Sequence, residues 1–281
     1  MKIKVGIIGY GSIGKMIFSK FIESKTVNES DIFLSTAADL HYELVDLKKA
    51  YPQINICKNN TDLAKSADII FLCLRSPEIK TVLSEIFTET KEGCHFISLN
   101  ACVMFRQMEQ IVSNKKISKI MPNINGEIRQ SITLVAHNDY VKDDDKGELK
   151  KLLECFGTVV ELPSETEIGI GMELTSCMPG YIGAVLKHVI NEAEKHTSMP
   201  KADMIKMLAG TVTATGKLLL EKEMSFEQLV KRVATRGGIT EEGAKIIDAE
   251  MPEMINRIFQ KTNEKRRKTT ENVQKSFEST N

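Results

Sequence analysis

Two glycine-bearing turns hold the residues best suited to chemistry. The first, Gly9-Tyr10-Gly11-Ser12-Ile13-Gly14, has the spacing G-x-G-x-x-G. An apolar run, "KIKVGIIG", leads into it, and an amphipathic pattern, "SIGKMIFSKFIE", leads out. In such a turn Gly9 permits a tight bend, Gly11 lets backbone approach a pyrophosphate, and Gly14 lets helix and strand pack closely. Ser12 and Ile13 then open a helix whose N-terminus faces the anion. The implied chemistry is dinucleotide binding. The second stretch is "RVATRGGITEEG", Arg232 to Gly243. Here Gly237, Gly238 and Ile239 are expected to turn several backbone N–H groups outward, a nest that suits a carboxylate without a reactive lysine. Thr240 is either the N-cap of the helix that follows or a ligand-facing hydroxyl, and at full strength it serves one role.

Other candidates lie at the ends of apolar runs. "IFLSTAADL" places Ser35 and Thr36 where an NAD site wants an acid for the ribose 2′-hydroxyl, with Asp39 close by. Hydroxyls leave room for a 2′-phosphate and can donate to it, so the expected cofactor is NADP(H), with NAD(H) the alternative. "LCLRSPE" puts Leu74, Arg75 and Pro77 at a sheet edge. Arg75 meets a phosphate or snorkels; Pro77 walls a nicotinamide or starts a helix. "ISLNAC" adds Asn100 and Ala101 to that edge, and "MPNING", Met121 to Gly126, forms a third edge loop.

The elements that must position these residues follow two grammars. Up to about Glu161, apolar strands alternate with helical patterns. The strands read as 2–8, 31–35, 69–74, 95–99, 119–121, 132–136 and 158–161. The helices between them include 13–23, 42–50, 79–87 and 145–156. Near-continuous apolar strands such as "ADIIFLCL" imply burial on both faces, and the alternation implies a mainly parallel, doubly wound sheet. After "LPSETE" the strands stop. One helix is opened by Pro179 and a second by Pro200, Ser225 with Gln228 makes a capping box for a third, and Thr240 opens a fourth that Pro252 ends or kinks. The expected fold is therefore α/β, an N-terminal Rossmann-type doubly wound sheet over residues 1–162, followed by an all-α dimerisation domain over residues 163–281 with a charged C-terminal tail. The helices carry more apolar surface than such a bundle can hide, so a homodimer, or a higher oligomer built on it, is expected.

Composition narrows the class. The chain has 281 residues, with 38 acids against 38 bases. That balance argues against a dedicated nucleic-acid binder. The cluster "KRRK", Lys265 to Lys268, reads as a solvated helix end. No apolar run reaches the length of a membrane span, and the start of the chain reads as a strand rather than a signal peptide. Six cysteines form no C-x-x-C pair, and five histidines form no metal pattern. A reduced, cytoplasmic protein without structural zinc is expected.

Taken in order, these segments resemble the pyrroline-5-carboxylate reductase family over nearly the whole chain, to about Lys261. "IGYGSIG", "ADIIFLCLRSP", "ISLNAC" and "KIMPNINGEIRQSIT" are similar to the successive motifs of its nucleotide-binding half. "LTSCMPGYIGAVL" and "RVATRGGITEEG" are similar to its two helical-half motifs and are the more specific part of the match. The resemblance implies NAD(P)H-dependent reduction of a cyclic imine, 1-pyrroline-5-carboxylate, to L-proline, and a helical domain that interlocks with its twin. It also implies that Thr240 meets the ring nitrogen or carboxylate of the substrate, above a floor of Ser176 and Pro179. Arg236 stands where the family has proline before Gly-Gly, and Met178 where it has a small residue. The pattern is also similar to a divergent branch that includes a late-competence protein of sporulating bacteria. Two alternatives stay open: a reductase of another imine, keto or amino acid, or a nucleotide-binding regulatory protein without catalysis.

Overall fold

The computed structural model of the chain describes residues 3–37 and 41–278. Asp39 lies outside the described residues. Eight strands form one sheet: β1 (Val5–Ile8), β2 (Ile32–Ser35), β3 (Asn55–Ile56), β4 (Ile69–Leu72), β5 (His95–Ser98), β6 (Lys116–Met121), β7 (Ser131–His137) and β8 (Gly157–Glu161). Their order is β3-β2-β1-β4-β5-β6-β7-β8. Every neighbouring pair is parallel except β6 and β7. The helices of this half are α1 (Ser12–Ser24), α2 (His41–Ala50), α3 (Asn60–Ser66), α4 (Ser76–Ile86), α5 (Phe105–Glu109), α6 (Asp143–Leu153) and α7 (Ile168–Met172).

Side chains alternate across the strands, and both faces are buried. Ile7, Phe71 and Ile97 join one apolar cluster with Ile17 and Phe21 of α1 and Phe156. Ile8, Ile70, Leu72 and Phe96 join the other with Leu63 of α3 and Ile79 and Leu83 of α4. Burial of both faces explains the continuous apolar runs in the sequence and confirms the doubly wound sheet. The short elements β3, α3 and α5 lack such runs and escape sequence reading. Only the cap of α3 is legible, where Asn59 Oδ1 accepts from Asp62 N–H at 2.8 Å.

The chain forms two compact units, one reaching Cys177 and rejoined from Lys265 onward, the other spanning Met178–Glu264. The sequence places the division at 162/163, just after β8. The residues between these boundaries pack on the sheet: Ile168 is buried in its core, and a Cβ on Gly171 would stand 2.7 Å from Leu134 Cδ1 of β7. α7 passes without a break into a π-helical turn, Glu173–Cys177, and then into α8 (Met178–Ala193). Pro179 is thus the second residue of α8 inside a continuous helical path; it does not open a free helix, which corrects the sequence expectation. Proline has no N–H for the carbonyl four residues back, here Thr175, and that missing rung favours the wider turn.

The second unit holds α8, α9 (Lys201–Glu221), α10 (Phe226–Val233) and most of α11 (Ile239–Glu278). The capping box of α10 is present: Ser225 Oγ accepts from Gln228 N–H at 3.2 Å, and Gln228 Oε1 accepts from Ser225 N–H at 2.9 Å. α11 runs through Pro252 rather than ending there. Large apolar side chains including Val185, Val189, Ile205, Met207, Leu220, Phe226 and Ile246 are exposed in this unit. No described helix is long and apolar enough to cross a membrane.

The final segment of α11 belongs to the first unit. Val273 is buried in the cluster around Leu83 and Phe96. Lys80 Nζ donates to the carbonyls of Ser276 and Phe277 at 3.0 and 3.3 Å. The "KRRK" cluster is therefore not simply a solvated end. Arg267 does pair with Glu271 in solvent, but Arg266 meets Glu173, whose side chain is fully buried.

Candidate active site

β1 lies between β2 and β4 with Ile8 level with both Ser35 and Leu72, so three strands end together. This is the switch point of a doubly wound sheet, where ligands bind outside the carboxyl ends. Gly9 bridges the gap: its φ is +96°, and a Cβ there would lie 2.5 Å from Cys73 O. A Cβ on Gly14 would lie 2.1 Å from Gly9 O, whereas one on Gly11 would meet nothing within 4 Å. Gly9 and Gly14 are thus required by the fold itself, while Gly11 keeps a space open. That space belongs to a cavity of about 560 Å³ lined by Gly9, Tyr10, Gly11, Ser12, Ile13, Thr36, Asn60, Cys73, Leu74 and Arg75 among others. Gly11 caps α1 with no side-chain bond, and no first-turn acid competes for the amides there. The cradle fits a pyrophosphate at a helix N-terminus.

The end of the cavity beside β2 departs from the sequence reading in one residue. Ser35 is buried and gives its hydroxyl proton to Asn60 Oδ1 at 2.8 Å, so it braces the wall and does not line the cavity. Thr36 does line it, and its Oγ1 accepts from Tyr10 N–H at 3.3 Å. Asn60, overlooked in the sequence, supplies the wall between them and donates through Nδ2 to Glu85 Oε2 at 2.9 Å. The signal was present in the Asn59-Asn60-Thr61-Asp62 cap that aims α3 at this edge.

The loop after β4 presents Leu74 and Arg75 to the cavity. The Arg75 guanidinium folds onto Glu78 and holds that carboxyl below its usual range. Glu78 also accepts from Arg75 N–H at 2.8 Å and so caps α4, where Pro77 is the second residue. Asn100 ties the loop after β5: its Oδ1 accepts from the N–H groups of Cys102 and Val103 at 2.9 and 3.1 Å, and its Nδ2 donates to Ser76 Oγ at 2.9 Å. Ala101 packs against the apolar cluster below. Pro77, Asn100 and Ala101 shape the edge, while Leu74, Arg75 and Leu99 face the cavity. Among the described residues no lining thiol or phenol is held below its usual range. Burial pushes the Tyr10 phenol up to about 12, with the charge of Glu43 adding to it.

The loop after β6 meets the π-helical turn. Asn123 Nδ2 donates to Thr175 O at 3.2 Å, and Ser176 Oγ donates to Pro122 O at 3.5 Å. The carbonyl to which Pro179 cannot donate thus accepts from the sheet edge. Glu165 anchors the approach, accepting from Phe105 N–H and, at 2.6 Å, from Lys119 Nζ, a lysine that β6 buries completely.

In the second unit, the Gly237–Thr240 turn differs from the expected nest. Gly237 has φ +74°, and a Cβ on Gly238 would lie 2.7 Å from Thr235 Oγ1, so neither position suits a side chain. Gly238 N–H points inward to Thr235 O at 2.8 Å, because the turn must close. Gly237 N–H already holds a carboxylate, Glu241 Oε2, at 2.6 Å. α11 begins at Ile239, so Thr240 lies one residue inside it and is not its N-cap. No hydrogen bond to Thr240 Oγ1 is found among the described residues. The hydroxyl is exposed, and neighbouring Ile239 is 94% exposed.

Comparison with known proteins gives two family matches. Residues 4–102 match the family described as "NADP oxidoreductase coenzyme F420-dependent", and residues 165–269 match "Pyrroline-5-carboxylate reductase dimerisation". Pyrroline-5-carboxylate reductase 3 of Bacillus subtilis is 30% identical over 272 residues, covering 97% of this chain and 98% of its own. ComE operon protein 4 of the same organism is 25% identical, covering 98% and 99%. The crystal structure of Plasmodium falciparum pyrroline carboxylate reductase with NADP bound superposes with a TM-score of 0.79 at 18% identity, covering 99% of each chain.

Proposed function

The chain belongs to the pyrroline-5-carboxylate reductase family, and from that premise we propose that it reduces the C=N bond of 1-pyrroline-5-carboxylate to give L-proline, with NADP(H) as cofactor. The observation that carries this reading is the open cradle at Gly11, set at the switch point of the sheet in a chain related to that family along its whole length. The nucleotide, when bound, supplies a hydride to the imine carbon. Gly9, Gly11, Ser12, Ile13 and Gly14 would hold its pyrophosphate. Thr36 and Asn60 would meet the adenosine ribose, and Leu74 and Arg75 the other end, with Ser35, Pro77, Asn100 and Ala101 supporting the walls. NADP(H) is preferred to NAD(H) because Thr36 offers a hydroxyl where a ribose-binding acid would stand.

Gly237, Gly238, Ile239 and Thr240, with Ser176 and Pro179, are assigned to the substrate. The Gly237 amide accommodates a carboxylate of the chain itself, which supports a carboxylate substrate there. Thr240 Oγ1, uncommitted to a cap, is the donor or relay for the proton that the nitrogen takes from water. The exposed apolar helices and the dimerisation-family match support a homodimer. Six unpaired cysteines suit a reducing, cytoplasmic setting.

The test is an assay of 1-pyrroline-5-carboxylate reduction with NADPH and with NADH, and of L-proline and thioproline oxidation at alkaline pH. Turnover on another imine, keto or amino acid would move the substrate assignment. Nucleotide binding without any turnover would favour a regulatory protein; Arg236 and Met178 are the substitutions behind that second reading.

A further inference from the structure

We propose that Arg266 is a positioning residue for the substrate site, acting through Glu173 on the π-helical turn; this rests on the assignment of Ser176 made above. Glu173 opens that turn and its side chain is fully buried, with Arg266 Nη2 2.5 Å from Oε1. A buried carboxylate stripped of its cation is strongly destabilising, so the pair fixes where the turn can lie. The approach is shaped to the guanidinium: a Cβ on Gly169 would stand 3.1 Å from Arg266 Nη1. A side chain at that position would press on the arginine.

The turn needs such a support. Its ladder is wider than that of an α-helix, and Pro179 removes one further donor. Thr175 Oγ1 donates back to Gly171 O at 2.9 Å, and Asn123 and Ser176 tie the turn to the loop after β6. Arg266 adds a tie from the far end of the sequence. Its segment is itself docked by Val273 in the core, by Lys80 on the carbonyls of Ser276 and Phe277, and by Arg106 on Gln274 Oε1 at 3.2 Å. The last stretch of α11 therefore works as a clamp on the turn that presents Ser176. None of its residues lines the nucleotide cradle.

The full-length protein tests this. Arg266→Met alone takes the guanidinium away from the buried Glu173 carboxylate, so the informative variant is Arg266→Met with Glu173→Gln, beside Arg266→Lys. Three readouts are taken: the Kd of NADPH, KM and kcat for the imine, and hydrogen exchange of the amides of residues 173–178. The double variant should keep the NADPH Kd within about twofold while KM rises about tenfold and the turn loses protection; Arg266→Lys should recover part of both. Unchanged exchange at 173–178 in the double variant overturns the proposal. So does a parallel loss of NADPH affinity and stability, the mark of a merely structural pair. If the unaltered protein reduces no imine, the functional reading falls, and exchange with the NADPH Kd still decides the role of Arg266.

Discussion

Asn123 Nδ2 donates at 3.2 Å to the carbonyl of Thr175, the rung that Pro179 cannot fill. A sheet-edge loop and a helical turn are thereby joined at a place created by one proline. Asn123 also anchors its own loop, accepting through Oδ1 from Asn125 N–H at 3.0 Å. Asn123→Asp keeps that acceptor and removes the donor, setting a carboxylate oxygen against a carbonyl oxygen. Stability should fall by about 1–3 kcal/mol, the cost of an unmade buried bond. Imine turnover should fall further than this alone implies, with the NADPH Kd unchanged. Denaturant melts and steady-state kinetics on the same preparation check both.

The glycines of the nucleotide turn separate fold from ligand. Gly14→Ala places its methyl 2.1 Å from Gly9 O, a clash with backbone that cannot yield cheaply. It should lower the melting temperature markedly, as overpacking at about 1–3 kcal/mol or more implies. Gly11→Ala meets nothing within 4 Å and should melt like the unaltered protein. Its methyl instead occupies the cradle, so the NADPH Kd should rise about tenfold or more, measured by fluorescence titration.

How far the sequence reveals this molecule depends on what kind of contact does the work. Strands such as Ile69–Leu72 are buried on both faces and announce themselves as apolar runs. The Gly9–Gly14 turn announces itself by spacing, because Gly9 and Gly14 satisfy local backbone demands. Ser35 and Thr36 are adjacent hydroxyls with opposite fates, since strand alternation buries one and exposes the other to the cavity. The pairing of Arg266 with Glu173 spans 93 residues and looks, in sequence, like part of a solvated charge cluster. Thr240 reads as a cap by type, yet the helix starts one residue earlier because Gly238 already closes the entrance.

Acid should weaken the fold through a buried imidazole. Burial pushes His95 down from 6.5 to about 3; Asp145 opposes that shift, while His137 and Lys116 favour it. Its Nε2 shares Ser118 Oγ at 2.7 Å, and the same oxygen meets His137 Nδ1 at 2.6 Å. The folded value lies below the unfolded one, so the unfolded chain binds more protons across this window. The contribution is complete above about 6.5 and is lost as pH falls toward about 3. The slope approaches about 1.4 kcal/mol per pH unit for one such group. His137, also lowered by burial, adds in the same direction. Urea melts from pH 8 to pH 4.5 should show the loss, and His95→Asn should flatten it.

The Gly237–Thr240 turn yields paired variants with opposite expected effects. Thr240 Oγ1 caps nothing, so Thr240→Ala should leave stability within about 0.5 kcal/mol, the usual range for an exposed site. If that hydroxyl serves the substrate nitrogen, kcat should fall about a hundredfold, the scale of a lost proton donor. Equal small losses in both would remove Thr240 from the mechanism. Glu241 poses the converse case. Its carboxylate holds Gly237 N–H at 2.6 Å, the donor assigned to the carboxylate of the substrate. A tethered anion on the same donor must compete with a free one, and a neighbouring negative charge repels it as well. Glu241→Gln keeps the helix start and weakens that competition, so KM for the imine acid should fall several-fold while kcat holds. The effect should shrink at high salt, because exposed charges are screened. A KM that stays fixed in Glu241→Gln while Thr240→Ala abolishes turnover would place the substrate carboxylate on Ile239 N–H and the helix start instead of on Gly237.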